Sequence, residues 1–429
     1  MAKVESQVPV DLPFGDSHFA VQVPAGDLLG VFTLPPQDVA EETDEAILIR
    51  RALDQPIGCR PLREMACPGQ KVTVIVSDLT RPCPSTRMLP MVLSELNLAG
   101  VADPDVTVVT ALGLHRPMTP GELEKIAGFE MAGRVRVVNH DPDDVIRLGF
   151  TSRGTPVELS RLVVEADLRV CLGNLEFHYF AGYSGGAKAL LPGCASRATI
   201  TANHALMVQP GATAGRLAGN PVREDLEEGA AMLGVDFILN VIVDGTHHIT
   251  GAVAGDVTAA HRCGCEMVAR RGCVYIPRKA DIVLASAGGY PKDVNLYQAQ
   301  KALDNAANAV RDGGIVILVA ECREGFGHPI FERWLYQAGS PDELLEWIQK
   351  DFVLGGHKAA AVGAVLKRAR VFLVSNMPAE AVRAAGLRPF ANVQEALAAA
   401  LAEMGRPASI MVLPQGGSIL PVAATSSPV

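Results

Sequence analysis

Short β-branched runs alternating with amphipathic helices predict an α/β protein of two domains with largely parallel sheets. Residues 71–77 (KVTVIVS), 105–110 (DVTVVT), 134–138 (RVRVV) and 167–172 (DLRVCL) have the pattern of buried strands, with helical segments between them. The alternation resumes after residue 280, which puts a boundary near residues 270–278. The chain has 429 residues, 48% of them hydrophobic, so it is longer than one ordinary domain and can bury sizeable cores without disulfide staples.

Each element has its own signal. Residues 1–38 read as irregular or strand-rich, punctuated by Gly and Pro. Residues 41–53 read as a helix with apolar Ala46, Ile47, Ile49 and Leu53 among acids and arginines. In the helix at 85–98, Met88, Leu89, Val92, Leu93 and Leu96 form the apolar stripe. The helix at 119–127 opens with Thr119 and Glu122 at capping-box spacing. Residues 197–207 read as a further helix. In the second half, strands are expected at 281–285, 314–320, 370–374 and 409–413. Helices are expected at 294–311, 341–350, 359–366, 378–385 and 393–403. Residues from 416 onward read as a tail. The domains are therefore drawn as 1–272, with 409–418 as a segment that could join it, and 275–408. The active site is expected in the cleft between them, with the second domain closing over it.

Composition narrows the function. Lys and Arg number 38 against 47 Asp and Glu, a net charge of −9 with no basic block, so nucleic acid is not expected as a partner. No apolar run approaches the roughly 18 residues of a membrane span, and the first residues lack the basic start and apolar core of a signal peptide. Nine cysteines without framework spacing read as reduced thiols of a cytoplasmic protein. Aromatic residues, at 5%, do not favour a sugar cleft.

In open α/β sheets, ligands bind beyond the carboxyl ends of the strands. After 71–77 comes Asp78-Leu79-Thr80-Arg81-Pro82, and after 105–110 comes Gly113-Leu114-His115-Arg116. Asn139-His140-Asp141 follows 134–138. After 167–172 come Asn174, Glu176 and His178, then the Gly-rich turn from Gly182 to Lys188. Gly288-Gly289-Tyr290-Pro291-Lys292-Asp293 follows 281–285. All these tips are expected to face one side of a sheet, gathering an acid, arginines, histidines and a lysine.

The Gly-rich turn is not a P-loop: Ala187 separates Gly186 from Lys188, and Ala189 stands where a metal-binding hydroxyl is needed. What remains is a turn that lets backbone approach a ligand and presents one lysine. Among Ala187, Ala189, Leu190 and Leu191 that amine would be desolvated, hence a candidate point of covalent attachment or an ordinary surface lysine. His204, after Asn203, is a candidate metal ligand or a buried structural histidine. His247, His248, His261, Cys263 and Cys265 lack the spacing of a zinc clamp.

Glu176-Phe177-His178-Tyr179-Phe180-Ala181-Gly182-Tyr183-Ser184-Gly185-Gly186-Ala187-Lys188, then Leu191-Pro192-Gly193 and Asn203-His204, resembles the nickel-pincer nucleotide-dependent lactate racemase (LarA) family. The motifs at 78–82 and 113–116 also match, as does Tyr297-Gln298-Ala299-Gln300-Lys301. The resemblance covers about residues 60–400. It implies a racemase or 2-epimerase, and a pyridinium mononucleotide cofactor tethered to lysine as a thioamide. Nickel is held by two sulfurs, a ring carbon and one protein histidine. By resemblance, Lys188 is the tether and His204 the nickel ligand. His115 and His178 match the catalytic histidines. Arg81, Gln298 and Lys301 match substrate-holding positions. Asp78, Thr80, Ser184, Gly185, Gly186 and Tyr297 fall in motifs that build the cofactor pocket. Cofactor-maturation enzymes are the implied partners, and a homo-oligomer stays open.

The chemistry suits this inventory. The α-proton of a hydroxy acid is hard to remove beside a carboxylate. Moving a hydride instead gives a transient 2-oxo acid that can be reduced on either face, with one histidine per enantiomer handling the hydroxyl proton. Two positions depart from the family pattern. Leu114 replaces the Thr that commonly precedes the first histidine. The stretch Gly355-Gly356-His357-Lys358-Ala359 lacks a tryptophan found in lactate racemases, so His357 is expected to line the pocket and the substrate to be another 2-hydroxy acid. The alternatives are a metal-free lyase or aldolase using Lys188 as a Schiff base, and a non-catalytic binder on the same scaffold.

Overall fold

The computed structural model describes residues 6–34, 44–244 and 246–423. It is an α/β protein that divides into two compact units, one of residues 38–270 and one of residues 1–37 with 271–428. The expectation of a single N-terminal domain over 1–272 is corrected at its start. Val10, Leu12, Phe14, Val21 and Val23 of an N-terminal hairpin pack on Ile282, Leu284, Ile315 and Ile317 of the C-terminal unit.

In the 38–270 unit, six strands lie in the order Ile249–Gly255, Phe237–Val243, Leu168–Asn174, Val72–Ser77, Val106–Ala111, Arg136–Asn139. All pair in parallel except Ile249–Gly255, which runs antiparallel to its neighbour. Val72–Ser77 is buried at five successive positions, as a strand covered on both faces must be. The helix Ser85–Leu98 packs its predicted stripe, Met88, Leu89, Val92, Leu93 and Leu96, into the same core. The capping box of Thr119 and Glu122 opens Pro120–Ala127. The chain runs outward from Val72–Ser77 through Val106–Ala111 to Arg136–Asn139. It then returns to the far side of Val72–Ser77 as Leu168–Asn174. Strand order therefore reverses between Val72–Ser77 and Leu168–Asn174, the place where such sheets open a crevice.

The other unit carries a second six-stranded sheet, in the order Arg388–Phe390, Arg370–Val374, Val310–Val319, Ala280–Ser286, Ile410–Leu413, Leu28–Val31, all parallel. Three expectations are corrected here. Residues 409–418 do not join the N-terminal domain, because Ile410–Leu413 pairs with Ala280–Ser286 and with Leu28–Val31. The tail expected from 416 contains a strand, Leu420–Ala423, parallel to Cys273–Ile276. The tip after 281–285 belongs to this second sheet and is not grouped with the strand ends of the first. Of the helix expected at 41–53, Glu45–Asp54 is helical, and residues 41–43 lie outside the described residues.

Candidate active site

Asp78 ends the Val72–Ser77 strand and is 3% exposed. Its Oδ1 accepts from the Thr80 backbone N–H at 3.0 Å and the Thr80 hydroxyl at 2.6 Å. Its Oδ2 lies 2.5 Å from His115 Nδ1, and Thr80 Oγ1 lies 3.5 Å from the same nitrogen. Burial raises the Asp78 carboxyl, but the hydrogen bonds from His115 and Thr80 outweigh it and hold the group below its ordinary value. A carboxylate only accepts, so His115 Nδ1 carries the hydrogen and Nε2 is the basic nitrogen. Arg81, four residues past Ser77, is exposed.

Across the switch point, residues 174–188 follow Leu168–Asn174. Phe177–His178 and Gly182–Tyr183 form a small antiparallel ladder. Its return brings His178 back toward Lys188. His178 Nδ1 accepts from the Ala181 N–H at 3.3 Å, so its Nε2 carries the hydrogen, the opposite tautomer to His115. Its ring stacks on Tyr179 at 5.4 Å and meets the edge of Phe180 at 4.5 Å. Desolvation, then the charges of Lys188, Arg81, His204 and Arg223, push the His178 imidazole well below its usual range. Desolvation likewise pushes the Lys188 amine far down, with Arg81 and Arg223 adding to it and Glu176 opposing. Burial and these charges thus favour the uncharged, nucleophilic form of the amine.

The turn before Lys188 needs its glycines. Gly185 has φ +72°, and a Cβ there would meet Asn240 Oδ1 and Leu175 Cδ2 at 2.7 Å; Gly186 has φ +58°, and a Cβ would meet the His261 ring at 2.7 Å. Ser184 is spent within the loop: its hydroxyl donates to the Asn174 carbonyl at 2.8 Å and accepts from the Glu176 N–H at 2.9 Å. His204 is 7% exposed in the last turn of Arg197–Ala205, its ring 5.1 Å from that of Phe180. Next to it, Asn203 donates to Asp225 at 2.8 Å and to the Val222 carbonyl at 3.1 Å, which ties this helix to Pro221–Ala231.

Asp78, Arg81, His115, His178, Lys188 and His204 thus belong to one unit; a hydrogen bond joins Asp78 to His115, and the Phe180 ring meets both His178 and His204. Two other sequence candidates form no site of their own. His140 is a structural histidine, 2% exposed with Nε2 on the Ala195 carbonyl at 3.0 Å. His261 and Cys265 are buried, whereas His247 and His248 are exposed, so that group forms no cluster. Among the described residues, no three His, Cys, Asp or Glu side chains come together as a metal site.

The remaining candidates lie in the other unit. Gln298 and Lys301 are exposed one turn apart on Leu296–Ala309. Tyr297, beside them, stacks on His328 at 5.2 Å. His357 is 8% exposed, accepts from the Gly355 N–H at 3.0 Å and packs 5.4 Å from Phe352. The sequence reading missed Lys358, equally buried, whose ammonium sits 4.2 Å over the Tyr297 ring and donates to the Tyr297 carbonyl. It also missed Arg223, because PVREDLEEGAA reads as an exposed polar helix.

Residues 14–215 match the lactate racemase N-terminal domain and residues 276–421 the lactate racemase C-terminal domain. The chain is 33% identical to the lactate racemase of Thermoanaerobacterium thermosaccharolyticum over 421 residues, 96% of this chain and 98% of that one. The chain belongs to the lactate racemase family. Family membership makes it an enzyme of the isomerase class. The lactate racemase of Lactiplantibacillus plantarum is 31% identical over 434 residues, 96% of this chain and 99% of that one. The fold is similar to that of the Thermoanaerobacterium lactate racemase apoprotein, with a TM-score of 0.85 over 97% of this chain and all of that one. A Thermotoga maritima protein, 19% identical, shares the fold at a TM-score of 0.60, over 89% of this chain and 98% of its own. Among the described residues no helix is long and apolar enough to cross a membrane.

Proposed function

We propose that the chain racemises or 2-epimerises a 2-hydroxy acid by moving a hydride off and back onto the α-carbon. The supporting observation is two histidines held in opposite tautomers, His115 by Asp78 and His178 by the Ala181 N–H, in the unit that also carries Lys188, whose amine burial pushes down. His115 presents a bare Nε2 backed by the buried Asp78 carboxylate, an arrangement that accepts a hydroxyl proton and stabilises the resulting imidazolium. His178 serves the other enantiomer. Burial pushes its imidazole below the usual range, and its Nε2–H is the proton it can give while His115 accepts one. Arg81 is the carboxylate anchor of this unit, with Gln298 and Lys301 as the further substrate contacts.

Lys188 and His204 fit a tethered nickel cofactor in the chemistry of their donors. The lysine offers an amine whose charge burial disfavours, and a single imidazole suits a metal whose other ligands come from a bound group. Such a nickel-pincer nucleotide would supply the acceptor and donor of the hydride. Tyr297, Thr80 and the Gly185-Gly186 backbone are the pocket residues proposed around it. His357 and its buried neighbour Lys358 stand where the family tryptophan is missing, which favours a substrate more polar than lactate.

The test follows the α-hydrogen. An enantiopure α-deuterated 2-hydroxy acid, racemised in ordinary water by loaded enzyme, is expected to keep its deuterium. Washout of deuterium into solvent would mean proton abstraction and would overturn the hydride reading.

A further inference from the structure

We propose that Arg223 is a positioning residue of this site: its buried guanidinium grips the loop that carries His178 and Lys188 and sets a fixed positive charge in the bed of that loop. This rests on the reading of Lys188 as the point of covalent attachment. Arg223 lies in the helix Pro221–Ala231 and is fully buried. Its Nε donates to the Ala181 carbonyl at 3.0 Å and its Nη2 to the Tyr183 carbonyl, so one planar fork holds two carbonyls of the loop. The same stretch is held at two more points. His261 Nε2 donates to the Ser184 carbonyl at 2.9 Å, and Asn240 Oδ1 accepts from the Gly186 N–H at 2.8 Å. Arg262 in turn faces His261 Nδ1 at 3.2 Å, which fixes that ring as a neutral donor toward the loop.

The charge balance of this bed points to more than support. Glu227 is the acid within 4.0 Å of Arg223 among the described residues, and it stands 3.6 Å away. Glu227 is already engaged by Arg262 through two hydrogen bonds, at 2.8 and 2.6 Å. Two guanidiniums therefore share one carboxylate, and Arg223 Nη1 is buried without a hydrogen bond. A merely structural tie would gain from a closer acid, because an under-compensated buried charge is costly. Here the surplus positive charge lies under the loop, and a second positive charge on Lys188 is disfavoured. The charges acting on that amine are those of Arg81 and Arg223, opposed by Glu176, and the helix Pro221–Ala231 packs directly on the turn Gly186–Ala189 that carries it.

The experiment uses the full chain without cofactor. Lys188 is acylated with trace acetic anhydride across a pH series and quantified by peptide mass spectrometry, with exposed Lys125 as internal reference. Wild-type Lys188 is expected to reach half-reactivity at lower pH than Lys125. Arg223→Met, shown to be folded by circular dichroism, is expected to move the Lys188 midpoint up by about one unit, a tenfold loss of reactive amine at neutral pH. An unmoved midpoint in folded Arg223→Met overturns the proposal. Where that variant does not fold, Glu227→Gln leaves the guanidinium without its carboxylate and is expected to move the midpoint down; an unchanged or raised midpoint overturns the proposal. Failure of a cofactor adduct to form on Lys188 in co-expressed protein would remove the attachment reading while leaving these profiles as they are.

Discussion

Asp78 shows how one residue sets the chemistry of another. The carboxylate is buried, so it costs stability unless its hydrogen bonds are made, and His115 and Thr80 make them. Asp78→Asn replaces an obligate acceptor by an amide and releases His115 from a single tautomer. The expected effect in loaded enzyme is a fall in kcat of about 100- to 10,000-fold with KM little changed, read from steady-state kinetics in both directions. The same residue has a pH signature. Its folded value is depressed, so its contribution to stability is present above the ordinary carboxylate value near pH ~4 and is lost as pH falls through the lower, folded one. Urea midpoints from neutral to acid pH are expected to fall more steeply for wild type than for Asp78→Asn; parallel curves would contradict that.

At the scale of the element, the Gly-rich turn is constrained by what lies beneath it. Gly186→Ala places a Cβ at φ +58° and 2.7 Å from the His261 ring, and is expected to cost roughly 2–5 kcal/mol. Gly154→Ala has the same kind of backbone, φ +82°, but open space around it, and is expected to cost only about 1–2 kcal/mol. Equal losses by chemical denaturation would mean that backbone strain, not the packed ring, fixes the turn. The elements legible in the sequence were those whose own residues specify them. The parallel strands Val72–Ser77 and Val106–Ala111 are apolar runs, and Ser85–Leu98 has a full stripe. Val145–Phe150 was not legible, because it is half-exposed and carries no clean alternation; Pro156–Ser160 alternates about buried Val157 and Leu159, but it is only five residues long and opens on a Pro. His115, His178, Lys188 and His204 were legible as motif positions. Arg223 was not, since its role comes from the depth to which the fold buries it.

Across the whole molecule, the N-terminal hairpin shows how far apart in sequence the partners of one core lie. Leu12 is fully buried on strands that begin some 270 residues later. Leu12→Ala is expected to cost about 2–5 kcal/mol, and hydrogen exchange should lose protection in Ala280–Ser286 and Val310–Val319 rather than in Val72–Ser77. The reverse pattern would place the hairpin with the other unit. The two-unit split also divides the proposed chemistry. The proposed tether, metal ligand and acid–base histidines lie in residues 38–270, while Gln298, Lys301 and His357 lie in the other unit. The most direct measurement is the intact mass and nickel content of wild type and Lys188→Ala, each co-expressed with the cofactor-building enzymes. A mass adduct with about one nickel per chain, both lost in the variant, is the expected result. An unmodified wild-type chain, from a preparation in which another member of the family is loaded, would contradict it.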